Sequence, residues 1–197
     1  MPVNLRSERN LGLIGSVLVL VGGFLGIIPY IGTFLGTASL VGQVLILIAL
    51  KGIGDKLGDD RPFRYYLYSI VVVIGALIIA GIMALVGILT VPSFVDKGDW
   101  TGLVGVGIIS MALLLLLAAI ILGIYFSIKA WRATYEITGV EEFDKVATWT
   151  KWGAITLIIL VGVILLLVAA IYQIIAFANL PEEMESREGT SAFNPIS

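Results

Sequence analysis

Few residues in this chain have the type and spacing for chemistry. The sequence contains no histidine and no cysteine. The usual haem, iron–sulfur and zinc ligand sets are therefore unavailable, as are thiolate chemistry and a Ser–His dyad. One tetrad, Gly52-Ile53-Gly54-Asp55, has the spacing by which an aspartate can be offered at membrane depth for proteolysis. That reaction needs a second aspartate sharing a proton with the first. The apolar segments hold none, and Asp55 falls in a charged stretch with Asp59 and Asp60. The tetrad reads better as a helix C-terminus closed by Lys51 and glycine. Two amides remain, Gln43 and Gln173, deep within apolar sequence. Gly32, Gly36, Ser39 and Gln43 recur on one helical face. Small residues let membrane helices approach closely, and glutamine can hydrogen-bond across the contact. Gly32, Gly36, Ser39, Gln43 and Gln173 are thus the candidate packing or pathway residues. Catalytic, cofactor and metal residues are not expected.

The elements that must position these residues follow from the charge map. Residues 10–50, 65–95, 100–128 and 152–181 contain no Asp, Glu, Lys or Arg. Apolar residues make up 59% of the chain and charged residues 13%, where soluble domains carry about a quarter charged. Runs such as Met111–Leu122 do not alternate, which excludes a membrane barrel. The expected fold is an all-α integral membrane bundle, because helices satisfy their own backbone in lipid. A span needs about 20 apolar residues. The first stretch is twice that and is interrupted at Ile28-Pro29-Tyr30-Ile31-Gly32, so it is expected to form a tight pair of helices. Five spans result, near 11–28, 33–50, 66–91, 102–130 and 152–178. Residues 1–10 precede a single membrane domain, 11–180. Residues 181–197 form an acidic tail expected to be disordered.

Lysine and arginine set orientation. With the N-terminus in the cytoplasm, ten of the twelve basic residues lie inside, and only Lys97 and Arg187 lie outside with the C-terminus. Tyr65, Tyr66, Tyr68, Trp100, Trp131, Trp149 and Trp152 fall at span ends, where interfacial anchors belong. Thr138 and Glu141 have capping-box spacing, and Val140, Phe143, Val146 and Ala147 follow at helical spacing. They predict a short amphipathic interfacial helix before the last span. Further small-residue faces are Gly12, Ser16 and Gly23, then Gly22 with Gly26, and Ser69, Ala76, Ala80 and Gly87. A net charge of −2 gives no basic field for nucleic acid.

Three segments carry a family resemblance. They are Glu8-Arg9-Asn10-Leu11-Gly12-Leu13-Ile14-Gly15; Leu47-Ile48-Ala49-Leu50-Lys51-Gly52 followed by Arg61-Pro62-Phe63-Arg64-Tyr65-Tyr66; and Thr138-Gly139-Val140 with Phe143, Gly153, Ile174-Ile175-Ala176-Phe177 and Leu180-Pro181-Glu182. Together they resemble a mostly archaeal family of multi-pass membrane proteins, domain of unknown function 996. The resemblance spans residues 8–183. It implies a whole-chain membrane domain and an archaeal origin, with no activity or site residues to carry over. The expected role is a non-enzymatic structural or accessory subunit, in contact with the bilayer and with itself or a larger complex. The alternative is a passive channel or small transporter for a neutral or apolar solute.

Overall fold

A computed structural model describes residues 2–25, 32–97, 101–156 and 161–185. The element order is β1 (Pro2–Asn4), α1 (Arg6–Leu25), α2 (Gly32–Leu57), α3 (Arg61–Lys97), α4 (Thr101–Thr138), α5 (Glu141–Thr156), α6 (Val161–Ala178) and β2 (Glu183–Glu185). Among the described residues, four stretches are long and apolar enough to cross a membrane: Gly36–Leu57, Arg61–Val91, Leu103–Thr138 and Val161–Ala178. The all-α multi-pass expectation holds at that level. The first turn of α1 carries Arg6, Glu8 and Arg9. The expected turn at residues 28–31, Trp100 and the tail beyond residue 185 lie outside the described residues.

The chain divides into two units. The first comprises residues 1–67 and 127–197, which include α1, α2, α5, α6, the first turns of α3 and the last turns of α4. Here α1 and α2 run antiparallel, with Gly15 against Gly42 near the middle and Glu8 against Gly52 at the charged end. Helices α5 and α6 form a second antiparallel pair, with Phe143 against Phe177 at one end and Gly153 against Leu166 towards the other. The pairs meet along α1 and α6, where Phe177 lies over Gly12 and Gln173 reaches Ser16. The second unit is the hairpin of α3 and α4 over residues 68–126. Its seam is Gly87 against Gly105 and Gly123 against Val73, and Ser69, Ala76 and Ala80 are buried. That stripe of small residues was visible in the sequence and is a packing face.

Several expectations are corrected. The last span is not one helix over 152–178. The amphipathic segment and residues 152–156 are a single helix, α5, and α6 begins separately at Val161. Gly153 permits this, because a methyl group there would come within 2.8 Å of the Leu166 side chain and 3.1 Å of its backbone nitrogen. Helix α2 does not stop at Leu50. It continues through Gly52 and Gly54 to Leu57, because Ile53 and Leu57 are buried, and it ends where Gly58 takes φ 74°. Thr138 is the last residue of α4 and donates to the Thr134 carbonyl at 2.7 Å. Gly139, at φ 69°, donates to the Tyr135 carbonyl and ends that helix. Tyr66 and Trp131 are not interfacial anchors: both are buried.

The largest correction concerns the chain ends. Residues 183–185 are not a free tail but a strand, antiparallel to β1 with Val3 opposite Met184. Leu5 N–H donates to the Glu182 carbonyl at 2.7 Å. A ladder cannot pair strands on opposite faces of a bilayer. The two strands therefore lie on the same side of any bilayer that the helices cross.

Candidate functional site

The charged residues of the first unit gather at the end where both strands lie, around an aromatic centre. Trp131 of α4 stacks on Phe143 of α5 at 5.8 Å, and Phe177 of α6 stands edge-on to both, at 5.1 Å from Phe143 and 6.1 Å from Trp131. Tyr66 of α3 meets the Trp131 edge at 5.5 Å. On α2, Ile46, Leu50, Ile53 and Leu57 recur at helical spacing and are all buried. Leu5 and Leu180, each next to a strand, are buried too. Four helices thus each supply one ring, and such pairs add about 0.5–1.5 kcal/mol apiece beyond area burial.

Ion pairs surround this centre. Asn4 accepts from Arg6 N–H at 2.9 Å through its side chain and so starts α1. One turn on, Glu8 lies against Gly52, where a methyl group would come within 2.7 Å of its Cγ. Lys56 Nζ donates to Glu8 Oε2 at 2.8 Å, lies 2.7 Å from Oε1, and donates to the Asn4 carbonyl at 2.7 Å. All three ammonium protons are thereby directed at acceptors. Glu8 is 8% exposed, so removing Lys56 would leave a buried carboxylate without its ion-pair partner. Arg9 pairs with Glu182 at 2.9 Å. Arg61 grips Asp59 with Nε and Nη2 and reaches Glu136 at 3.0 Å. Arg64 holds Asp60 at 2.8 Å. Lys51, Lys129 and Lys145 lie over the rings of Phe63, Tyr65 and Tyr172.

The residues singled out from the sequence are not brought together here. Gly32 opens α2. Gly36 has no atom within 4 Å of where a methyl group would sit. Ser39 and Gln43 are half-buried on α2. Gln173 donates to Ser16 Oγ at 2.9 Å, and Ser16 in turn donates to the Gly12 carbonyl. Sequence reading missed Glu8 and Lys56, which lie 48 positions apart. Their signal was faint: a glutamate one turn into an apolar helix, and a Gly-x-Gly in a lysine-bearing helix end. Asp55, the carboxylate of the Gly-x-Gly-Asp tetrad, is exposed. Among the described residues, no group of three or more acidic side chains could hold a metal ion. What the arrangement can do is bind helices to one another at one end, with each buried charge neutralised.

A family model described as a protein of unknown function, DUF996, matches residues 38–171. The uncharacterised protein MJ1644 of Methanocaldococcus jannaschii is 32% identical over 186 residues, which is 94% of this chain and 98% of that protein. No solved structure matches. The family match runs from within α2 to within α6, and the archaeal relative extends the likeness to nearly the whole chain: the chain belongs to the DUF996 family.

Proposed function

We propose that this protein is a non-enzymatic accessory or structural subunit of a membrane assembly. The observation that carries the reading is a set of glycines on α3 and α4 that pack against nothing among the described residues. A methyl group at Gly75, Gly81 or Gly107 would meet no atom within 4 Å. Glycine in a helix costs about 1 kcal/mol against alanine. Gly87, Gly105 and Gly123 offset that cost by close helix approach, and the open glycines do not. A helix of another chain would supply the missing contact, as small residues do across membrane helix pairs. The ionic end of the first unit would hold the subunit in shape while its hairpin docks.

A passive pathway has less support. Gln173 is engaged by Ser16, while Thr90, Ser110 and Thr156 turn their hydroxyls onto carbonyls of their own helices. Gln43 would be left to line a path with Ser39 alone.

The experiment is native electrophoresis and crosslinking of the protein in its own membranes. The expected result is a species larger than the monomer, reduced by Gly81→Leu and unchanged by Ser110→Ala. A monomer with no crosslinked partner sinks the proposal.

We also infer that the shared side of both ends is the cytoplasm. With β2 beside β1, ten of the eleven basic residues among the described ones fall on that side, and Lys97 is left opposite. Basic residues gather on the cytoplasmic side of membrane proteins. A green fluorescent protein fused after Ser197 should fluoresce, and alkaline phosphatase at the same place should be inactive. An active phosphatase fusion would reverse the orientation.

A further inference from the structure

We propose that the β1–β2 ladder and the Arg9–Glu182 pair form a releasable latch that governs whether α6 stays docked on α1. The latch does not depend on the role proposed above. Its position sets what it controls. Within the first unit, α1 and α2 form one hairpin, and α5 and α6 form the other. The strands run directly into the seam between the two hairpins: β1 leads into α1, and β2 follows α6. Below the ladder, that seam includes Phe177 over Gly12 and a side-chain hydrogen bond from Gln173 to Ser16.

The closure is built to be weak. Each strand is three residues long, and the ladder has only two strands. Isolated two-stranded ladders are marginal in water even when longer. Arg9 and Glu182 are about one third and one half exposed, so water and salt screen their attraction. In the closed arrangement Arg9 Nε is buried with no hydrogen-bond partner among the described residues. That donor regains water when the strands part, so the closed state carries a cost that opening relieves. By contrast, Lys56 and Glu8 sit deeper on the α1–α2 hairpin, with every ammonium proton directed at an acceptor. Nothing in that pair favours release. The weak fastening is therefore confined to the junction of the hairpins, and the strong one lies within a hairpin.

The absence of cysteine allows a clean test. Val3 and Met184 are opposite partners in the ladder, and antiparallel partners lie at Cα separations that a disulfide can bridge. Val3→Cys/Met184→Cys is made in the full chain, reconstituted in lipid nanodiscs, and compared in oxidised and reduced forms by hydrogen–deuterium exchange. The oxidised form should crosslink within the chain and slow exchange at residues 9–16 and 173–180, with residues 42–50 unaffected. Glu182→Gln, which removes one exposed charge, should speed exchange at the same two segments by about two- to five-fold at low salt, and by less in high salt. Failure of the cysteine pair to crosslink would overturn the ladder itself. Crosslinking that leaves the α1 and α6 segments exchanging at the reduced rate, or a Glu182→Gln protein indistinguishable from the parent, would overturn the latch.

Discussion

Gly42→Ala is expected to destabilise the protein by about 1–3 kcal/mol, or more, whereas Gly36→Ala on the same helix leaves it unchanged or slightly more stable. At Gly42 an added methyl group would lie 2.5 Å from the Gly15 carbonyl oxygen, 2.8 Å from the Val19 nitrogen and 2.9 Å from the Leu18 Cβ. Two of those atoms are backbone and the third is fixed to it, so none can rotate away. The helices must separate, and the loss spreads along the α1–α2 contact, including the approach of Ile46 to Gly15. At Gly36 no atom of the described residues lies within 4 Å, so the change there is relief of glycine's backbone entropy. Thermal unfolding in one detergent, with both variants side by side, measures the contrast. Equal melting temperatures for the two would mean that α1 and α2 do not meet at Gly15 and Gly42.

That pair also shows how far sequence reading reaches. A stripe of small residues announces a close approach but does not say which of several stripes is used. On α2 the stripe through Gly32, Gly36, Ser39 and Gln43 was the more regular one, yet the helix turns Gly42 towards α1. On α3 the stripe had no rival, and Ser69, Ala76, Ala80 and Gly87 are all buried. The long charge-free runs were legible because apolar length is a property of neighbouring residues. Parity was not. Residues 152–180 are a continuous charge-free run without proline, so they read as one span, and nothing local in the sequence marked α5 and α6 as separate antiparallel helices. The first run is interrupted by Pro29, and there the sequence did predict a hairpin.

The charged end was illegible for a different reason. Its contacts join residues far apart in the chain: Glu8 with Lys56, Arg9 with Glu182, and Pro2–Asn4 with Glu183–Glu185. Three-residue strands in polar sequence carry no measurable alternation, so only the pairing itself defines them. Trp131 and Tyr66 fell at span ends and were read as membrane anchors by position. Helices α3 and α4 in fact begin or end several residues further out, and this sets both rings inside the aromatic centre.

Phe177→Ala is the substitution expected to cost most, about 3–5 kcal/mol, because the ring is fully buried between Phe143, Trp131 and Gly12. The hole would open at the meeting of both hairpins, so the loss should appear as parting of α6 from α1 as well as lower stability. Gly12→Ala attacks the same contact from the other side. Its methyl group would overlap the Phe177 ring, which Phe143 and Trp131 prevent from moving away. That change should cost about 1–3 kcal/mol. The two losses have opposite steric causes, one a void and the other a clash, so they should not add. In Phe177→Ala/Gly12→Ala the methyl group has no ring to strike and fills part of the void. The double variant should then be no less stable than Phe177→Ala alone, which gives a coupling of about 1–3 kcal/mol. Equilibrium unfolding of the four proteins in mixed micelles supplies the cycle. Losses that simply sum would mean that Phe177 does not lie over Gly12, and the seam between the hairpins would have to be redrawn.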